Sequence, residues 1–231
     1  MWRPILLVAL LALATPAFAQ TCPEPLASTR RLVLVTADSV NTSLARLQRF
    51  ERDATTQPWR SLGPAQDALI GRNGMAWAPM FRSFARGGEP VKVEGDRRAP
   101  AGFYRIGRSF GVEPSQRPGY LQIKPGTVCV DDLESGAYNS ITTREKVGAF
   151  VHGENMSRVP AYKNGLLIDY PTDRRRRAGS CIFIHIRTPS ASSTAGCVAV
   201  PEPQVLALQD FAEGGAVIAI LPDSARSRFA G

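Results

Sequence analysis

Residues Cys181–Cys197 read CIFIHIRTPSASSTAGC: an apolar run with one histidine, a loop of small polar residues, then a glycine and a cysteine. Ile182–Ile186 has the length and composition of a buried strand, and Val198–Val200 predicts a second, short one. The whole chain has only two histidines and four cysteines. His185 is therefore either a core histidine or a general base, and Cys197 is either a small buried hydrophobe or a nucleophile.

The two residues have the groups that acyl transfer through a cysteine needs. A thiolate is the attacking species, and a thiol with a pKa of about 8.5 forms little of it at neutral pH. A neighbouring histidine can accept the thiol proton and return it to a leaving amine. We predict that a hairpin brings His185 to Cys197, that Gly196 leaves room for a substrate carbonyl, and that nearby backbone N–H groups hold the oxyanion. His152, in a polar segment, is the alternative base.

Segments on both sides of this stretch indicate a mostly β fold. Arg31–Thr36, Leu166–Ile168 and Val217–Leu221 are apolar runs of strand length. Residues 57–125 are rich in glycine and proline, with short strand-like pieces such as Val91–Val93 and Phe103–Ile106 between turn signals. This texture predicts a β domain with long functional loops.

Two segments predict helices. Glu202–Phe211 has prolines at its start and apolar residues on one face. The other helix is predicted after a cap at Asp38 or Ser39. It rests on apolar residues at helical spacing, which are Val40, Leu44, Leu47 and Phe50.

The first residues, MWRPILLVALLALATPAFAQ, have the layout of a secretory signal. Arg3 supplies the positive end, Ile5–Ala14 is too short to span a bilayer, and Ala17–Ala19 is a small-x-small cleavage site. We therefore expect an exported protein of the periplasm or cell envelope. The predicted divisions are a signal peptide at 1–19, an N-terminal segment at 20–30, one domain at 31–221 and a loose tail at 222–231. No later apolar run has the roughly 18 residues of a membrane span.

The formal net charge is +8, and Arg174–Arg177 is a block of four arginines. A basic chain can bind nucleic acid, but an exported one rarely meets it, so we expect no nucleic-acid partner. Non-specific attraction to an anionic cell envelope is one interpretation of the charge. A solvated loop is the other interpretation of the arginine block.

Four cysteines in an exported chain favour disulfides. If Cys197 stays a thiol, at most one disulfide can form among the other three. Cys181 and His185 are four residues apart and would share a face of one strand, so Cys22 with Cys129 is the preferred pair. The spacing of histidines and cysteines fits no zinc site, and no metal is expected.

A family resemblance narrows these alternatives. Thr194–Val200, TAGCVAV, with His185 in an apolar strand upstream, resembles the active-site signature of the YkuD-type L,D-transpeptidases. That signature is a strand histidine, then Ser or Thr, one residue, Gly and the nucleophilic Cys. Glu94–Tyr104, EGDRRAPAGFY, is similar to the family segment EGD-x-x-TP-x-G-x-F. Further segments resemble one branch of the family, namely Gly71–Trp77, Cys129–Asp132, Tyr138–Asn139, Gly165–Tyr170 and Gly179–His185.

The resemblance covers about residues 31–221 and implies a β-sandwich-like catalytic domain, mostly β with a few helices. It implies an enzyme that acts on peptidoglycan stem peptides without metal or organic cofactor. Cys197 would form a thioester with loss of D-alanine, His185 would be its base, and Gly196 and Thr194 would support the backbone around the oxyanion. The substrate-pocket candidates are Glu94, Asp96, Gly102, Tyr104 and Ser180.

The chain departs from the family pattern at three residues and in the loop between His185 and Thr194, which is shorter. Ala195 stands where the best-known members carry His, Ala199 where they carry Arg or Asn, and Ala99 where Thr is usual. Two other functions therefore stay open. One is hydrolysis, by an L,D-carboxypeptidase or amidase in which water accepts the acyl group. The other is a non-catalytic wall-binding module.

Overall fold

The structure is a computed structural model that describes residues 23–227 and 229; the predicted signal peptide lies outside them. The strands are β1 (Arg31–Ala37), β2 (Leu44–Glu51), β3 (Arg60–Ser61), β4 (Gln66–Leu69), β5 (Met75–Trp77), β6 (Ala99–Gly111), β7 (Leu121–Gln122), β8 (Thr127–Val130), β9 (Ser140–Thr143), β10 (Glu154–Asn155), β11 (Asn164–Ile168), β12 (Phe183–Ile186), β13 (Val198–Val200) and β14 (Val217–Pro222). The α-helices are α1 (Arg144–Val147), α2 (Glu202–Ala212) and α3 (Asp223–Arg226), and 3-10 helices lie at Pro79–Phe84, Met156–Arg158 and Pro160–Lys163.

Most of the strands form one sheet that closes on itself. Its order is β1-β14-β6-β11-β12-β13-β4-β2, and β2 returns to pair with β1. Closure removes the unpaired edges that an open sheet would expose. A separate small sheet has the order β10-β8-β9. The prediction of a mostly β fold with a few helices is confirmed. The two layers of the predicted sandwich-like domain are formed by one sheet that closes around the core.

The core lies inside the closed sheet. Val33 and Ile218, on the paired strands β1 and β14, are fully buried, and burying such a side chain is worth about 1.5–3 kcal/mol. Helix α2 covers the sheet with Leu208 on its buried face. Gln209 fixes this helix, because its side-chain amide donates hydrogen bonds to the carbonyls of Phe110 (3.1 Å) and Gly165 (3.0 Å). The helix is thus tied to β6 and β11, next to the strand that carries His185.

Most of the predicted elements are present, including the strands near both chain ends and the helix from Glu202. Val91–Val93 is not a strand: Val91 makes only an isolated bridge with Trp77, and both valines are exposed. The first residues of the predicted tail form α3, and the ring of Phe229 meets that of Phe103 edge-on at 4.8 Å. Within the described residues, no helix is long and apolar enough to cross a bilayer.

The helix predicted around Leu44–Phe50 is wrong. The segment is strand β2, in which Ala45 and Leu47 are buried whereas Leu44 is 67% exposed. Burial therefore alternates with the period of two that a strand requires. β2 is hydrogen-bonded to β1 on one side and β4 on the other, and this pairing overrides the local apolar spacing.

Candidate active site

Strands β12 and β13 bring His185 and Cys197 to the same face of the sheet. The strands are parallel, and His185 lies opposite Ala199. Because side chains alternate along a strand, Cys197, two residues before Ala199, projects to the same side as His185. The two residues therefore occupy neighbouring diagonal positions. The predicted hairpin is wrong, since a hairpin would make these strands antiparallel.

The loop between the strands is held against the segment that follows β4. The Thr194 N–H donates to the Ile70 carbonyl (2.9 Å), and the Arg72 N–H donates to the Thr194 carbonyl (2.8 Å). These contacts carry the chain back to the edge of the sheet where β12 begins, so β13 starts there in the same direction. Cys197, just before β13, therefore lies beside Phe183, the first residue of β12.

The Cys197 thiol is buried, with 7% of the residue exposed. Its sulfur accepts a hydrogen bond from the Phe183 N–H (3.3 Å), and its S–H donates to the Cys181 carbonyl (3.4 Å). Burial raises the pKa of Cys197 to about 12, and the charge of Glu154 adds to this; the Phe183 N–H and the charge of Lys92 act in the opposite direction. The resting residue is therefore a neutral thiol.

His185 is a neutral imidazole of defined tautomer. Its Nδ1 lies 3.0 Å from the Ile186 carbonyl. A carbonyl can only accept, so Nδ1 carries the hydrogen and Nε2 keeps its lone pair. Burial lowers the pKa of His185, partly offset by this hydrogen bond. The ring of Tyr162 meets the imidazole edge-on at 5.5 Å and, with the Nδ1 bond, limits its rotation.

His185 and Cys197 both line a cleft of about 760 Å³, a size suited to a small-molecule or peptide ligand. Four of the other residues predicted from the sequence lie in its wall: Glu94, Ser180, Thr194 and Gly196. So do three residues that the sequence did not single out: Lys92, Glu154 and Tyr162. Lys92 stands two positions before the matched EGD segment, whereas Glu154 and Tyr162 carried no signal in the sequence.

Glu94 joins the EGD segment to the chain that leads into β12. Its carboxylate accepts hydrogen bonds from the hydroxyls of Ser180 (3.0 Å) and Tyr138. Burial, followed by the neighbouring Glu94 carboxylate, raises the pKa of Tyr138, so its hydroxyl stays a donor. Glu94 and Ser180 thus form one hydrogen-bonded part of the cleft wall.

Asp96 is not in the cleft wall but fixes a residue that is. Its carboxylate accepts hydrogen bonds from the N–H groups of Val93 (3.0 Å) and Arg98 (2.9 Å). It also pairs with the ammonium of Lys92 at 2.6 Å. The role that the structure gives Asp96 is to hold Lys92.

Gly102 and Tyr104 lie in β6 and support the core, away from the cleft. Tyr104 is 2% exposed, and its hydroxyl donates to the Ala101 carbonyl (3.1 Å). Gly102 has φ +148, and a Cβ there would overlap the Phe81 ring and lie 2.6 Å from the Tyr104 hydroxyl. The requirement for glycine at 102 is therefore one of packing and backbone conformation.

Thr194 and Gly196 shape the backbone immediately before the cysteine. The Thr194 hydroxyl donates to the Cys197 carbonyl (2.7 Å) and accepts from the Gly196 N–H (3.1 Å). Gly196 has φ +150, and a Cβ there would lie 3.1 Å from the Arg98 carbonyl. Because the Gly196 N–H is already engaged by Thr194, the N–H of Cys197 is the better candidate for the oxyanion.

The disulfide joins Cys129 to Cys181, with Cα atoms 6.0 Å apart. The predicted pair of Cys22 with Cys129 is therefore wrong, and Cys22 lies outside the described residues. Cys181 precedes β12 and has φ 56, so it does not share a strand face with His185. Its N–H donates to the Asn139 side chain (3.0 Å). Among the described residues, Cys197 is the free cysteine.

His152, the alternative base, lies at the rim of the same cleft. Its side chain is 80% exposed and pairs through Nδ1 with Asp131. An exposed ring held by one surface carboxylate is less constrained than His185, whose ring is enclosed by Tyr162 and the strand.

The domain is rich in β-sheet, and a histidine and a free cysteine line one of its clefts. A family model described as YkuD, the L,D-transpeptidase catalytic domain, matches residues 40–220. The chain therefore belongs to the YkuD L,D-transpeptidase family, whose catalytic domain acts on peptidoglycan. Comparisons with curated proteins and with solved structures returned no match.

Proposed function

We propose that this protein is an exported cysteine acyltransferase that crosslinks peptidoglycan stem peptides, with Cys197 as nucleophile and His185 as general base. The observation that carries the proposal is the placement of both side chains on one face of β12 and β13, within one cleft. The neutral His185 with a free Nε2 lone pair supports it. So does the free state of Cys197 in a domain whose other two described cysteines are bonded to each other.

In the acylation half-reaction, the Cys197 S–H turns from the Cys181 carbonyl to His185 Nε2 and transfers its proton there. The sulfur attacks the carbonyl of the diamino acid that precedes the terminal D-alanine. An S–C bond forms and the carbonyl oxygen becomes an oxyanion, which the Cys197 N–H stabilises. The oxyanion collapses, the C–N bond to D-alanine breaks, and His185 returns its proton to the leaving amine.

In the second half-reaction, an amine of another stem peptide attacks the thioester. His185 removes a proton from the attacking nitrogen, the S–C bond breaks, and the thiol regains a proton. The products are a new amide crosslink and the original enzyme. Because the resting pair is a neutral thiol and a neutral imidazole, proton transfer accompanies the attack and no ion pair is stored beforehand.

Two features support export. The first 19 residues have the charged, apolar and small-residue order of a secretory signal. The Cys129–Cys181 disulfide is of the kind that persists in oxidising compartments outside the cytoplasm.

The test is mass spectrometry of purified muropeptides with tetrapeptide stems, incubated with the exported protein. Crosslinked dimers are expected with the unmutated protein and with Cys22→Ser, which is the matched control for cysteine loss. Cys197→Ala should yield none. A carbapenem-type β-lactam should acylate the protein, and peptide mapping should place the adduct on Cys197.

Each alternative outcome has a distinct meaning. Shortened monomers without dimers would replace the transferase by a hydrolase of the same site. Wall binding without turnover or adduct would favour the non-catalytic module. An adduct that survives in Cys197→Ala would remove Cys197 as the nucleophile.

A further inference from the structure

Lys92 is a buried lysine in the wall of the active-site cleft. Only 3% of its side chain is exposed, yet it lines the same cleft as Cys197. Lysine is almost never fully buried without a partner, because desolvating an ammonium costs several kcal/mol. A cation at this depth therefore needs compensation from the surrounding structure.

That compensation comes from a short and rigid segment. Lys92 Nζ donates to the Asp96 carboxylate (2.6 Å) and to the Val93 carbonyl (2.9 Å). Nζ also lies against the backbone of Gly179, where a Cβ would approach it to 2.8 Å. An ammonium has three donors, and two are used by these acceptors. The position of the charge is thus fixed from several sides.

The positive member of this ion pair belongs to the cleft wall. Lys92 lines the cleft, whereas Asp96 does not. The Asp96 carboxylate is in addition neutralised from its own side by two backbone N–H donors, from Val93 and Arg98. Within this pair, the positively charged residue is therefore the one that belongs to the cleft wall. Consistent with this, the Lys92 charge lowers the pKa of the buried Cys197 thiol, against the larger effect of burial.

We propose that Lys92 is a positioning residue. It is a fixed cation that stabilises the negative charge on the Cys197 sulfur as the thiol proton leaves for His185. Asp96 then orients Lys92. The inference rests on the proposed function in one respect, that Cys197 is the nucleophile. It accounts for a costly buried ion pair that joins Lys92 to the EGD segment.

The test uses the opposite signs of the two charges. Lys92→Met and Asp96→Asn break the same ion pair, but the first removes a cation near the thiol and the second removes an anion. All variants carry Cys22→Ser, so that alkylation reports on Cys197 alone. The measurement is the rate of iodoacetamide alkylation of Cys197 as a function of pH, read by peptide mass spectrometry. Urea unfolding of each variant shows that the protein is folded under the assay conditions.

Lys92→Met should move the pH profile upward and slow alkylation at neutral pH, by up to about tenfold, because it removes a positive charge that lowers the thiol pKa. Asp96→Asn keeps a side-chain oxygen that can accept from Lys92 Nζ and removes only the negative charge, so it should raise the rate or lower it far less than Lys92→Met does. Lys92→Met alone leaves Asp96 unpaired and can fail to fold. The double variant Lys92→Met/Asp96→Asn removes both charges and should show the same slowing as Lys92→Met.

A purely structural role predicts a similar slowing in both single variants. The proposal is overturned if Asp96→Asn slows alkylation as much as Lys92→Met does. It is equally overturned if the double variant reacts at the rate of the control. The comparison measures thiol reactivity and not crosslinking, so it decides the role of Lys92 even if the muropeptide experiment assigns the protein to hydrolysis.

Discussion

Removal of the Cys129–Cys181 disulfide is expected to destabilise the domain by about 4 kcal/mol. The bond joins residues separated by 52 positions. For a loop of that size, the loss of loop-closure entropy in the unfolded chain amounts to about 4 kcal/mol at 25 °C. In a domain of this length, each kcal/mol moves Tm by about 2–4 °C, so a fall of about 8–16 °C follows.

The same change should affect the site, because the Cys181 carbonyl accepts the hydrogen bond of the Cys197 thiol at 3.4 Å. The bond ties Cys181 to β8, and β8 belongs to the small sheet. Without the disulfide, the Cys181 backbone is still held by the hydrogen bond from its N–H to the Asn139 side chain, but no longer by β8. The crosslinking rate should therefore fall even at temperatures where the variant is folded.

The assay is thermal and urea unfolding of Cys129→Ala/Cys181→Ala in a Cys22→Ser background, with Cys22→Ser as the control. Replacing both cysteines leaves no thiol that can exchange with Cys197. Cys129 is buried, so its truncation adds a cavity cost. Reduction of the unmutated protein breaks the bond without removing sulfur and gives the matched comparison. A loss below about 1 kcal/mol in both comparisons would refute the reasoning from loop closure.

Three further outcomes are expected. His185→Ala should lower the crosslinking rate on the order of a hundred- to ten-thousandfold with the fold intact, whereas His152→Ala should stay near the control in the same steady-state assay; a dead His152→Ala variant would exchange the two roles. Gly102→Val should lower both Tm and activity, because φ +148 and close packing exclude a side chain there; a stable and fully active variant contradicts this. Burial raises the pKa of Cys197 to about 12, so with rising pH the unfolded chain loses this proton first and stability falls above a pH of about 8.5. Urea midpoints across this range should show a smaller fall in Cys197→Ala than in the unmutated protein.

Local sequence pattern was sufficient for the elements that one segment determines by itself. The strand around His185, the short strand after Cys197 and the helix from Glu202 are all present. In the two strands the apolar residues are contiguous, and in α2 they recur at helical spacing. Helix α2 also begins with a proline, as expected at a helix start. One short stretch of sequence contains His185 and Cys197, which line one cleft, and their catalytic roles stay predictions.

Strand direction and strand partners were not accessible in this way. The apolar residues of β2 have a spacing that also fits a helix, and only pairing with β1 and β4 decides the matter. Whether the loop after β12 turns back or crosses over depends on its hydrogen bonds to Ile70 and Arg72. Those residues are more than a hundred positions earlier in the chain, and no local pattern contains that contact.

The disulfide error has a cause that also explains how Cys197 stays free. The prediction assumed that Cys181 continues the strand of His185, which would place it on the same face. Cys181 instead has φ 56, a conformation that costs a non-glycine residue about 1–2 kcal/mol, and the Asn139 side chain holds its N–H there. With this turn, Cys181 bonds to Cys129 on β8, while its carbonyl is what meets the Cys197 thiol. The backbone conformation of Cys181 thus directs its sulfur to Cys129 and its carbonyl to the Cys197 thiol, which donates its proton to that carbonyl in a hydrogen bond.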